Sequence, residues 1–96
     1  MKKGPDYVAT NNKLTSQQLA DIKSLLPYGF FQAIADKRKG ITYRQIIEVF
    51  AQRSTNAKQN KTVWEAINKK LIAYDRPDLI EAVNARVSFC QNLLLV

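Results

Sequence analysis

ADKRKGITYRQIIEVF, residues 35–50, has four charged residues among its first six, passes through one glycine and then turns largely apolar. The cations Lys37, Arg38 and Lys39 suit the carboxyl end of a helix, where the backbone dipole is negative. Gly40 can take the left-handed conformation that stops a helix. Thr42 then offers a hydroxyl as N-cap, and Ile46, Val49 and Phe50 follow at helical spacing. Two helices joined by a short glycine turn are expected, the second over about 43–53. Arg44, Glu48 and Gln52 project opposite its apolar face, with Gln45 beside them, while the stem of Arg53 joins the inward side.

Working outward, Thr15 and Gln18 have the spacing of a capping box. Leu19, Ile22, Leu25 and Leu26 continue it as a helix over about 16–26. Pro27 suits the start of the next helix, with Phe30, Phe31, Ile34 and Ala35 as its stripe. On the other side, residues 54–60 are polar and read as a loop. Thr62 and Glu65 have the spacing of a further capping box, which opens a helix running to about Tyr74 with Val63, Ile67 and Leu71 inward and Trp64 on the flank, more core than stacking platform. Asp75-Arg76-Pro77-Asp78 is a break with a proline helix start. A last helix over about 77–94 carries Ile80, Val83, Val87, Cys90 and Leu94 as a heptad seam. The expected fold is all-α, about five helices. Residues 1–14, which lack helical periodicity, are expected to be a mobile arm on a single domain of residues 15–96.

The chain has 96 residues, 46% of them apolar, which bounds it to one small packed domain. It contains no histidine and one cysteine, Cys90, so the commonest general base, a thiolate pair and a disulfide framework are all missing. No glycine-rich phosphate loop or metal-ligand spacing is present. The expectation is a non-enzyme without cofactor, metal or small-molecule ligand, in a reducing cytoplasmic compartment. No stretch is long and apolar enough for a secretory signal or a membrane span. The net charge of +7 is unevenly placed: residues 37–70 hold nine Lys or Arg against Glu48 and Glu65. A concentrated excess of this kind is the footprint of a polyanion partner.

The residues around the glycine turn carry a resemblance. Residues 31–49 resemble the helix-turn-helix of phage repressors, Cro proteins and LacI-type headpieces. Ala35 stands where that family has a small residue for close helix approach, and Gly40 where a glycine closes the first helix. Ile41 is the apolar residue that follows, Thr42 the hydroxyl cap, and Ile46 and Val49 the inward aliphatics. The run from alanine to glycine is one residue longer here than in the family. The resemblance covers roughly 20 residues strictly and about 50 loosely, with the helix-turn-helix itself over about 28–53, and implies sequence-specific binding of double-stranded DNA by a small regulator of repressor type. It places base contacts at Tyr43, Arg44 and Glu48, with Ile47 close by. Arg44 suits guanine, Glu48 a cytosine amine and Ile47 a thymine methyl.

Phosphate contacts are expected from Lys37, Arg38, Lys39, Arg53, Lys58 and Lys61, with Gln32 and Thr42 as weaker candidates near helix starts. Several alternatives stay open. Glu48 can instead form a surface pair with Arg44 or Gln52 at helical spacing. The C-terminal seam serves either a homodimer, as two-fold operators require, or the protomer's own core. Cys90 in that seam reads as a small buried hydrophobe. A rival class is a helical interaction module whose basic face meets an acidic protein or RNA, although RNA readers add exposed aromatics and only Tyr43 is well placed.

Overall fold

A computed structural model describes residues 13–95. Among them the chain is all-α: α1 Ser16–Leu25, α2 Phe30–Lys37, α3 Tyr43–Phe50, α4 Ala57–Leu71 and α5 Pro77–Leu95. The expected arm lies outside the described residues except at its end. There Leu14, at 3% exposure, is a core residue rather than part of a mobile segment.

Two capping boxes form as their spacing predicts. The Thr15 hydroxyl accepts from the Gln18 backbone and the Gln18 side chain accepts from Thr15 N–H. Thr42 and Gln45 do the same at the start of α3. Each box satisfies two otherwise orphaned donors, which fixes the first residue of the helix. Helix α2, however, starts three residues after Pro27. Residues 26–29 form a turn, and Gly29, at φ +77°, takes the position before Phe30. Proline suits a first helical turn, but a left-handed Gly29 breaks the path from it.

The end of α3 departs further from expectation. Helix α3 stops at Phe50, and Gln52 adopts φ +62°. Gln52 N–H donates to Val49 C=O at 2.9 Å and Arg53 N–H to Glu48 C=O at 3.0 Å, the pair of reversed bonds that defines a Schellman stop. Gln52 is therefore not on the outward face; it is 5% exposed. Its carboxamide accepts from Leu14 N–H at 2.6 Å and donates to Leu14 C=O at 2.9 Å, holding the chain before α1 against the end of α3. Gln52→Ala should cost about 1–3 kcal/mol, because both buried Leu14 groups lose their partner. Gln52→Gly should cost about 1 kcal/mol less than that, since glycine relieves the left-handed backbone. Urea unfolding of the two variants checks the order; equal losses would remove the backbone strain from the account.

Helix α4 begins at Ala57, not at Val63. Asn56 caps it by accepting from Gln59 N–H at 2.9 Å, so most of the expected loop at 54–60 is helical. The Thr62–Glu65 box does not form: Glu65 pairs with Lys61 at 3.1 Å. The helix ends at Leu71, three residues short of Tyr74. An ionic cluster ties α1 to the start of α5. Arg76 binds Asp78 at 3.1 Å and Asp21 at 3.1 Å, and its guanidinium holds Asp78 below the ordinary carboxylate range. Asp21 is held low first by the Gln17 amide and then by Arg76.

The core lies where α3, α4 and α5 meet, around Ile46, Val49, Val63, Trp64, Ile67, Leu71, Leu79 and Val83. Ala35 packs against it, and Ile34 and Ile41 are buried within it. A row of rings joins the helices: Phe31 to Phe50 at 5.1 Å, then Phe50 stacked on Trp64 at 5.7 Å. Arg86 is fully buried, 5.8 Å over the Trp64 ring, and donates to Asn60 Oδ1 at 3.3 Å. Asn60 in turn donates to Asn56 C=O at 2.9 Å, so α5 braces the segment that starts α4.

The α5 seam divides. Val83 and Cys90 are buried in the protomer, Ile80 and Val87 are half-buried and pack on the core, and Leu94 is exposed. Leu79 and Arg86 complete the buried stripe in place of Ile80 and Leu94. Burial pushes the Cys90 thiol up, in keeping with a hydrophobe rather than a nucleophile. No helix among the described residues is long and apolar enough to cross a membrane.

Candidate nucleic-acid interface

Helix α3 is two-sided because its spacing is. Ile46 and Val49 are fully buried, Phe50 is half-buried, and Tyr43 and Arg44 are exposed at its first turn. Ile47 and Glu48 are half-buried on the outward side. Thr42 presents a hydroxyl whose oxygen already accepts from Gln45.

Glu48 has a partner that helical spacing does not suggest. Arg53 forks onto it, Nε to Oε1 at 3.2 Å and Nη2 to Oε2 at 2.6 Å. The Schellman reversal turns Arg53 back over the last turn of α3, which makes this five-residue separation possible. Glu48, expected on a base, and Arg53, expected on a phosphate, bind each other in the free protein, and the alternative surface pairs of Glu48 with Arg44 or Gln52 do not form. The Arg53 hydrogen bonds hold the Glu48 carboxyl below its ordinary 4.5, with Arg53 and Arg44 adding coulombic attraction. A depressed folded pKa means the pair's contribution is present above the unfolded value and is lost as pH falls through the folded one. A carboxyl carbon titration should give a Glu48 midpoint below 4.5. Arg53→Ala should move that midpoint up; an unmoved midpoint would remove the fork as its cause.

Beside the fork, Arg44, Gln45 and Glu48 border a concavity with Ser54, Thr55, Asn56 and Gln59. Asn56 and Gln59 also border the next depression, where Arg38, Lys39 and Lys58 converge around Gly40 and Ile41. The cation run 37–39 is thus split. Lys39 points to the depression shared with Lys58, Lys37 to a different groove shared with Lys69, and Arg38 lines both. Lys61 is drawn away by Glu65. Gln32 is exposed and donates to Asp36 at 3.0 Å.

Three contributions escaped the sequence. Tyr28 is fully exposed and borders one groove with Lys23, Gln32 and Tyr43; its place between Pro27 and Gly29, two turn formers, was the available signal. Residues 54–56 join the α3 face because α4 starts early, which the Asn56 cap signals. The Glu48–Arg53 fork had no local signal. Among the described residues no cluster of His, Cys, Asp or Glu could hold a metal ion. Compared with protein-family models, curated proteins and solved structures, the chain matches none.

Proposed function

We propose that the protein binds double-stranded DNA sequence-specifically, with α3 in the major groove, as a small regulator of repressor type. The observation that carries this reading is the division of α3: one face is locked in the core, and the other presents Tyr43, Arg44 and Ile47 beside a depression lined by Arg38, Lys39 and Lys58. A helix fits the major groove, where base edges are distinguishable, and the flanking cations supply the phosphate term. Paired half-sites require two copies. Ile80, Val87 and Leu94, seven residues apart on α5 and not fully buried, are the seam positions a second copy would meet.

The test is a binding titration of random duplex, random single strands and RNA at several salt concentrations, followed by selection from a duplex pool. Lys39→Ala and Lys58→Ala should each flatten the slope of log K against log salt on duplex by about one unit. Lys61→Ala should flatten it less, because Glu65 already neutralises that cation. Equal slopes for all three variants and the wild type would remove the docking face. One observation favours a second reading, RNA. Tyr28 and Tyr43 are two exposed rings on one groove, and unpaired bases stack on such rings. Preference for single strands, lost in Tyr28→Ala, would decide for it.

A further inference from the structure

A groove of about 280 Å³ runs between α2 and α4, away from the outward residues of α3. Its floor is Phe30, Ala33, Ile34 and Ala66. Two of these are alanines, and the side-chain volume they lack leaves the space between the helices unfilled. The rim is Lys37, Arg38 and Lys69, and no carboxylate lines the groove. All three cations are exposed and none is in an ion pair among the described residues. The surface continues past Arg38, Ala66 and Lys69 toward Asn84 and Val87. The one carboxylate on that extension, Glu65, is held by Lys61 at 3.1 Å.

An apolar floor inside a ring of unpaired cations differs from the polar depression beside α3. A duplex presents phosphates along its surface, and its apolar thymine methyls lie within the major groove, where a floor set between two helices does not reach them. An amphipathic helix presents apolar anchors at three- and four-residue spacing with carboxylates beside them, and it matches both features of the groove. The charge complementarity also steers such a segment here rather than to a neutral apolar patch.

We propose that the α2–α4 groove docks an acidic amphipathic helix of a protein partner, its apolar side chains on the Ala33–Ala66 floor and its carboxylates on Lys37, Arg38 and Lys69. The groove adjoins the α3 face and shares only Arg38 with the depression there, so its floor and Lys69 lie outside the proposed duplex contact. It stands whether or not α3 reads duplex DNA.

The experiment uses the full chain and a displayed library of short helical peptides with fixed Leu or Phe anchors and Glu or Asp between them. A second library carries Ala in place of the anchors. Peptides from the first library should be enriched, and one synthesised peptide should shift the amides of Ala33, Ala66 and Lys69 in a nitrogen-proton spectrum. Ala33→Gln blocks the floor at an exposed helical position without changing charge. It should weaken that peptide about tenfold or more while leaving random-duplex affinity unchanged. Lys69→Glu should weaken the peptide similarly, and the helical circular dichroism of both variants should match the wild type. No enrichment, equal enrichment of the anchorless library, or shifts confined to α3 would overturn the proposal. So would displacement of the groove shifts by random duplex, which would assign the rim to phosphates.

Discussion

Trp64→Ala should lower the free energy of unfolding by about 3–5 kcal/mol. Trp64 is fully buried, stacks on Phe50 at 5.7 Å and lies under the Arg86 guanidinium at 5.8 Å. Truncation opens a cavity at the meeting point of α3, α4 and α5 and leaves a buried cation without its ring. The indole N–H has no hydrogen-bond partner among the described residues. Trp64→Phe therefore forfeits no hydrogen bond and should cost less than half as much. Domains of this size are stable by roughly 5–15 kcal/mol, so the alanine substitution should remove a large share of the total. Circular dichroism in urea reads both variants. A loss below about 1 kcal/mol for Trp64→Ala would show that the ring row does not hold the helices together.

Arg44→Ala should lower affinity for a selected duplex site by about 1–3 kcal/mol, the worth of one bidentate guanine contact. Arg44 is the second residue of α3, exposed, and in no ion pair among the described residues. Arg53 is already committed to Glu48, which leaves Arg44 as the free guanidinium on this face. Binding to random duplex should fall much less, preference should relax at one base pair in each half-site, and melting temperature should hardly move. Equal loss on selected and random DNA would reassign Arg44 to phosphate. No loss on either would take the reading role from α3.

What could be read in the chain without coordinates was whatever four neighbouring residues settle among themselves. The Thr15–Gln18 and Thr42–Gln45 boxes and the inward Ile46 and Val49 are of this kind, because caps and helical stripes close within one turn. Gly40 is left-handed as expected, but α2 has already ended at Lys37 with Arg38 extended. Local signals also misled where two competed. Thr62–Glu65 has the spacing of a box, yet Asn56 starts the helix six residues earlier because Asn60 can be buried against Arg86. That contact spans 26 residues, Gln52 to Leu14 spans 38 and Arg76 to Asp21 spans 55. Such pairings have no period to detect; they exist only once packing has brought distant backbone together. The candidate site follows the same division. Helix α3 itself, with Tyr43 and Arg44 exposed on it, was legible. The fork that binds Glu48 to Arg53 came from the left-handed Gln52 that turns Arg53 back over α3, the parting of Lys37 from Lys39 from how α2 lies against α4, and the exposure of Tyr28 from the turn that Gly29 closes before α2. Each depends on where packing and turns place neighbours, not on a period within one helix.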